Sequence, residues 1–211
     1  MTHTRVRRFA TLLVALAACQ AQERAPADTP AVAALAPFDT VILETSKGRI
    51  AIELNRERAP GSVANFERHV KAGFYDGLIF HRIAPDFVIK AGRAAEDRSE
   101  RISQAAPITN EADNGLQNLR GTVAMARTDY PHSATSEFFI NLKDNTAKLD
   151  FREATYEGFG YAVFGRVIAG LEVVDAIAAT RPTRRGIYRE FPTDPTVIRR
   201  ASMQGAAAPG S

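Results

Sequence analysis

The chain has 211 residues, 45% of them hydrophobic, enough to bury one core and to make a single domain the default. Its formal charge of +3 is unevenly placed: Arg5, Arg7 and Arg8 lie in the first 18 residues, which hold no acid, and the remainder carries 24 residues of each sign. That balance argues against a nucleic-acid binder, and no apolar run after the N-terminus is long enough to span a bilayer.

The first elements read as an address rather than as fold. A basic start is followed by an apolar run from Phe9 to Ala18, too short for a membrane span and suited to a secretory signal. The run ends in Leu16-Ala17-Ala18-Cys19, and Cys19 is the only cysteine in the chain. This junction resembles the lipobox of bacterial lipoproteins, in which the cysteine is lipidated and begins the mature protein. The resemblance implies a signal peptide over residues 1–18 and a membrane anchor on Cys19. Gln20 after the cysteine favours the outer membrane, with the domain in the periplasm. A lone cysteine leaves no internal disulfide to form. Residues 19–37 are rich in Ala and Pro, with Pro26, Pro30 and Pro37, and read as a disordered tether.

The domain is expected over residues 38–202, followed by an Ala/Gly/Ser tail over 203–211. Fourteen glycines and 11 prolines between short apolar runs favour β structure. Residues 41–45 and 49–54 flank Ser46-Lys47-Gly48, a hairpin. Pro60 suits the first turn of a helix to about Ala72, with Gly73 as its C-terminal cap. Val63, Phe66 and Val70 form the core face of that helix, and His69 is expected on its exposed side. A strand is expected over residues 78–83, ended by Pro85. Residues 88–92, 122–126, 138–142, 161–167 and 196–198 read as further strands. Residues 93–106 and 143–158 read as polar loops, and residues 171–179 repeat helical spacing. Seven or eight short strands and two helices result.

One stretch breaks the apolar pattern. Arg82 and His81 sit inside the strand after Tyr75-Asp76-Gly77, and Phe87 follows Pro85. On spacing alone Arg82 could simply lay its stem on the surface and keep its head in water. The seven residues Tyr75, Asp76, Gly77, Phe80, His81, Arg82 and Phe87 nevertheless resemble, at fixed spacing, the signature of cyclophilins, the peptidyl-prolyl cis/trans isomerases. The resemblance runs from about Val41 to Ala201 and is nearest the bacterial periplasmic branch in residues 110–115 and 160–165. It implies a mainly β fold, a closed eight-stranded antiparallel barrel capped by two α-helices, acting as a monomer without a cofactor or metal. It also implies proline-containing polypeptides of the cell envelope as substrates. Arg82 would donate to the prolyl nitrogen. Phe87, Met125, Phe139 and Leu149 would grip the proline ring, with Ala126 beside the peptide and Tyr161 in place of the family's late histidine.

This chain departs from the family at three further positions. Two neighbouring glutamines usual in the family are Lys90 and Glu137 here, which suggests an ion pair that keeps Lys90 from repelling Arg82 and holds Arg82 in place. The aromatic residue that many members use for cyclosporin falls on Lys148, so weak cyclosporin binding is expected. If the charged pair disabled turnover, the chain would instead be a lipid-tethered chaperone or scaffold for proline-containing segments. A serine protease is not indicated, since no G-x-S-x-G motif occurs, and the four histidines and Cys19 have no metal-ligand spacing. His81 is expected to pack or hydrogen-bond within the fold.

Overall fold

The computed structural model describes Met1 and residues 40–204. Apart from Met1, the expected signal peptide, Cys19 and the 19–37 tether lie outside the described residues, as do residues 205–211 of the expected 203–211 tail, whose Met203 instead pairs with Val41 as part of the last strand. Strands β1 (Thr40–Thr45) and β2 (Gly48–Leu54) form the first hairpin. Helix α1 (Pro60–Lys71) follows, then the hairpin of β3 (Arg82–Ala84) and β4 (Val88–Ala91). Next come β5 (Thr122–Met125), β6 (Phe138–Asn141), the one-turn helix α2 (Thr146–Leu149) and β7 (Val163–Ala169). Helix α3 (Leu171–Ala178), a separate hairpin of β8 (Pro182–Arg185) and β9 (Tyr188–Pro192), and β10 (Ile198–Met203) complete the described chain.

Eight strands make one antiparallel sheet in the order β10-β1-β2-β7-β5-β6-β4-β3. The expected closure is not a strand ladder. β3 and β10 are the two edges of a curled half-barrel. The segment before β3 reaches the start of β10 through isolated bonds: Gly77 N–H to Ile198 O (2.8 Å), Ile198 N–H to Leu78 O (2.7 Å) and Phe80 N–H to Thr196 O (3.1 Å). Ile79 N–H turns away to Ala94 O at 2.9 Å. Residues 78–81 therefore divide their bonds between two neighbours, and the expected strand forms its ladder only from Arg82. Three helices stand where two were expected, because the single turn of α2 is too short to display a 3.6-residue period.

Period-two alternation sorts the side chains of this sheet. Ile83, Ile89, Val123, Met125, Phe138 and Ile140 point inward, joining Phe66 and Val63 of α1 in the main core. Phe66 packs its ring 5.2 Å from Phe138 and 5.0 Å from Phe164. Tyr75 is fully buried beside them, and its hydroxyl donates to Ser136 O at 3.0 Å.

Helix α1 has no capping side chain of its own. The Glu111 carboxylate serves instead, accepting Gly61 N–H (2.9 Å), Ser62 N–H (2.8 Å) and Ser62 Oγ–H (2.7 Å). A carboxylate there satisfies orphan donors and faces the positive end of the helix dipole. At the other end Gly73 takes φ 63°, and Phe74 N–H to His69 O with Gly73 N–H to Val70 O complete a Schellman turn. His69 corrects the expectation of an exposed residue. It is buried, with Nδ1 2.8 Å from Asn65 O and Nε2 2.8 Å from Ser103 Oγ, and so ties the helix to the 93–106 segment.

Candidate active site

The outward face of the same strands carries the candidate site. Ladder pairing aligns Arg82 with Lys90, Lys90 with Phe139, Phe139 with Ala124 and Ala124 with Val163, one row across β3, β4, β6, β5 and β7. Paired residues share a face, so a cation pair at one end of the row meets an apolar floor at the other. Ala126, Leu149 and Val88 complete that floor, with Phe87 and Tyr161 half-buried on it. Phe139 and Tyr161 stack edge to face at 5.6 Å. The structure thus brings Phe87, Ala126, Phe139, Leu149 and Tyr161 together.

Met125 is a correction. It neighbours Ala126 in sequence and therefore faces the opposite way, into the main core, 3% exposed. The alternation that puts Ala124 and Ala126 on the apolar floor excludes Met125 from it.

Local structure explains how each side chain is aimed. Asp86 turns the β3–β4 hairpin in the left-handed region at φ 54°, which Asp tolerates, and Phe87 N–H closes it on Ala84 O at 3.1 Å. The turn is then fixed from below by asparagines. Asn145 Nδ2 donates to Phe87 O (2.9 Å) and to Asn141 Oδ1 (2.8 Å), while Asn118 donates from N and Nδ2 to Asp150 Oδ1 (2.7 and 2.9 Å). These bonds lock α2, and with it Leu149, against the hairpin that carries Phe87. Lys148 lies at the rim with Nζ 5.8 Å from the centre of the Phe87 ring. Arg127 stacks on Tyr161 at 4.7 Å.

At the charged end, Lys90 Nζ donates to Glu137 Oε2 at 3.1 Å, the ion pair that the two departures suggested. Glu137 is placed there by a close backbone approach. Gly92 has φ 98°, and a Cβ on it would lie 2.5 Å from Ser136 O. The buried His81 ring brings Nε2 to 3.4 Å from Glu137 Oε1, while its Nδ1 has no hydrogen-bond partner among the described residues. Burial holds His81 below its ordinary pKa, which favours the neutral ring at neutral pH. Burial alone would raise the Glu137 carboxyl, but the contacts from His81 and Lys90 win and pull it down to about 2.

The expectation that Glu137 also holds Arg82 is not met. Arg82 Nε donates instead to Glu190 Oε2 of β9 at 2.6 Å. Glu190 and Tyr188 are neighbours of Arg82 and His81 that sequence reasoning missed. Their hairpin has no apolar alternation, and nothing local links residue 190 to residue 82. A cavity of about 330 Å³ opens beside this contact, lined by His81, Arg82, Lys90, Arg93, Glu137 and the 187–190 segment. A second cavity of about 400 Å³ begins at Lys90 and Glu137 and runs past Ala126 and Arg127.

Residues 40–203 match the family model described as cyclophilin type peptidyl-prolyl cis-trans isomerase/CLD. The chain is 51% identical over 168 residues to the peptidyl-prolyl cis-trans isomerase cyp18 of Streptomyces antibioticus, covering 80% of this chain and all of that protein. It is 45% identical over 163 residues to peptidyl-prolyl cis-trans isomerase A of Dickeya dadantii, covering 77% of this chain and 83% of that one. Among solved structures, a Cryptosporidium parvum cyclophilin type isomerase superposes with a TM-score of 0.67 at 21% identity, covering 81% of this chain and 99% of its own.

Proposed function

The chain belongs to the cyclophilin-type peptidyl-prolyl cis-trans isomerases and is such an isomerase; from that premise we propose that Arg82 is the catalytic donor in X-Pro rotation. Amide resonance sets a barrier of roughly 18–20 kcal/mol to that rotation. No covalent step is required to lower it. When the bond twists, the prolyl nitrogen regains its lone pair and becomes an acceptor that the planar amide lacks. A fixed cationic N–H aimed at that nitrogen binds the twisted form better than either planar one, and each 1.36 kcal/mol of this difference is about tenfold in rate.

The observation that carries this reading is the cross-strand row itself, which sets Arg82 two strands from Phe139 and the apolar floor it belongs to. The proline ring is held on Phe87, Phe139, Leu149 and Tyr161, with the peptide beside Ala126, while the residue on the other side of the bond turns. The Lys90 ammonium has three N–H donors, of which one bonds Glu137 and another can be offered to a substrate carbonyl. The substrates are proline-containing polypeptides, by this account envelope proteins during folding. The Leu16-Ala17-Ala18-Cys19 motif supports a lipid anchor in the periplasm, and Gln20 after it supports the outer membrane. Loss of labelled-palmitate incorporation in Cys19→Ala is the outcome expected of that anchor, and unchanged labelling would remove it. For Arg82, the test is turnover of a short Ala-Pro peptide by the chain and by Arg82→Ala. Removing a single preorganised donor is expected to cost about 10²–10³-fold.

A further inference from the structure

Arg82 is gripped from a side that the sheet does not supply. β9 lies along the β3 edge, and Glu190 Oε2 accepts from Arg82 Nε at 2.6 Å, with each side chain a little over a third exposed. The hairpin that carries Glu190 is itself firmly seated. Phe191 and Tyr188 pack on Ile79, Ala94 and Val197, and Tyr188 also sets its ring 5.9 Å from His81. The Tyr188 hydroxyl donates to Glu100 Oε1 at 2.6 Å, and Glu100 Oε2 accepts from Arg93 at 2.8 Å.

An arginine on three sp³ torsions samples many rotamers, and a donor stabilises a transition state only when its direction is already fixed. Glu137 is engaged with Lys90 and faces His81, and among the described residues it makes no hydrogen bond to Arg82. A carboxylate on Nε fixes the plane of the guanidinium and leaves both Nη groups to donate elsewhere. We propose that Glu190 is the positioning residue for Arg82, and that the β8–β9 hairpin is therefore part of the catalytic site. The inference rests on reading Arg82 as the donor.

The test compares the full chain with Glu190→Gln, Arg82→Ala and the double variant, using an Ala-Pro peptide. Glu190→Gln is expected to lower kcat by about tenfold, the scale on which lost positioning acts, with KM and melting temperature unmoved. In the Arg82→Ala background the same change is expected to cost nothing further, because the two residues act as one unit. The NMR resonance of Arg82 Nε–H gives a reading independent of residual turnover. It should be protected from solvent exchange in the parent chain and lose that protection in Glu190→Gln. Unchanged kcat in Glu190→Gln, with collapse in Arg82→Ala, would overturn the positioning role and leave the donor role standing. Faster turnover in Glu190→Gln would overturn it too and make the carboxylate an inhibitory latch. Full activity in Arg82→Ala would remove both.

Discussion

Replacing Glu137 by Gln strands Lys90 across the ladder from Arg82, where paired Cβ atoms lie about 4.5–5.5 Å apart. The size of the effect follows from the geometry. At 3.1 Å the Lys90–Glu137 attraction is about 5 kcal/mol for an effective dielectric of 20, before the cost of desolvating both ions. The fall of the Glu137 carboxyl from 4.5 to about 2 is worth about 3 kcal/mol, and His81 shares in it. The part belonging to Lys90 is then of order 1–2 kcal/mol. Glu137→Gln should lower unfolding free energy by about 3 kcal/mol, and Lys90→Gln by about 1.5 kcal/mol. The double variant, which restores a neutral pair, should recover 1–2 kcal/mol relative to the sum of the singles. Urea unfolding of the four chains reads the stability cycle, and peptide turnover reads whether the same coupling reaches Arg82. Strict additivity in the urea cycle, within about 0.3–0.5 kcal/mol, would refute the reasoning.

Stability should also depend on pH in two steps. His81 and His69 are both depressed by burial, so the folded chain binds their protons less readily than the unfolded one. Their contribution is complete above about pH 6.5 and declines as pH falls below it. Glu137 adds a second loss as pH falls from 4.5 through about 2. Urea midpoints across this range should decrease in that order, and a midpoint that rises between pH 7 and 5.5 would contradict the assignment of His81 as neutral. Because Lys148 stands over Phe87, the unaltered chain is expected to bind cyclosporin weakly and Lys148→Trp to bind it roughly tenfold or more tighter, the scale of one well-packed aromatic anchor. Calorimetry showing submicromolar binding to the unaltered chain would count against that.

How much of this was legible beforehand depended on range. Pro60 and Gly73 mark the two ends of α1 because the missing N–H and the left-handed turn are local demands. The alternation of Val123, Ala124, Met125 and Ala126 is likewise in the sequence, and applied strictly it would have kept Met125 out of the pocket. Lys90 and Glu137 are 47 positions apart, and only the resemblance to a family in which those positions adjoin made their pairing readable. Glu190 had no such guide. Residues 182–192 hold too few apolar positions for either period, and the contact with Arg82 spans 108 positions. His69 was misjudged for a related reason: helical spacing identifies the core stripe but not a segment, here residues 93–106, that later covers the other side.

Arg82, at the charged end of the row that leads to the apolar floor, is the proposed donor in X-Pro rotation without covalent chemistry. The most direct measurement of that role is the cis-to-trans rate of an Ala-Pro peptide with the chain and with Arg82→Ala, both shown to be folded by their melting transitions. The account predicts strong acceleration by the first and a loss of roughly 10²-fold or more in the second, with the peptide still bound by Phe87 and Phe139. Equal acceleration by the two chains would contradict it.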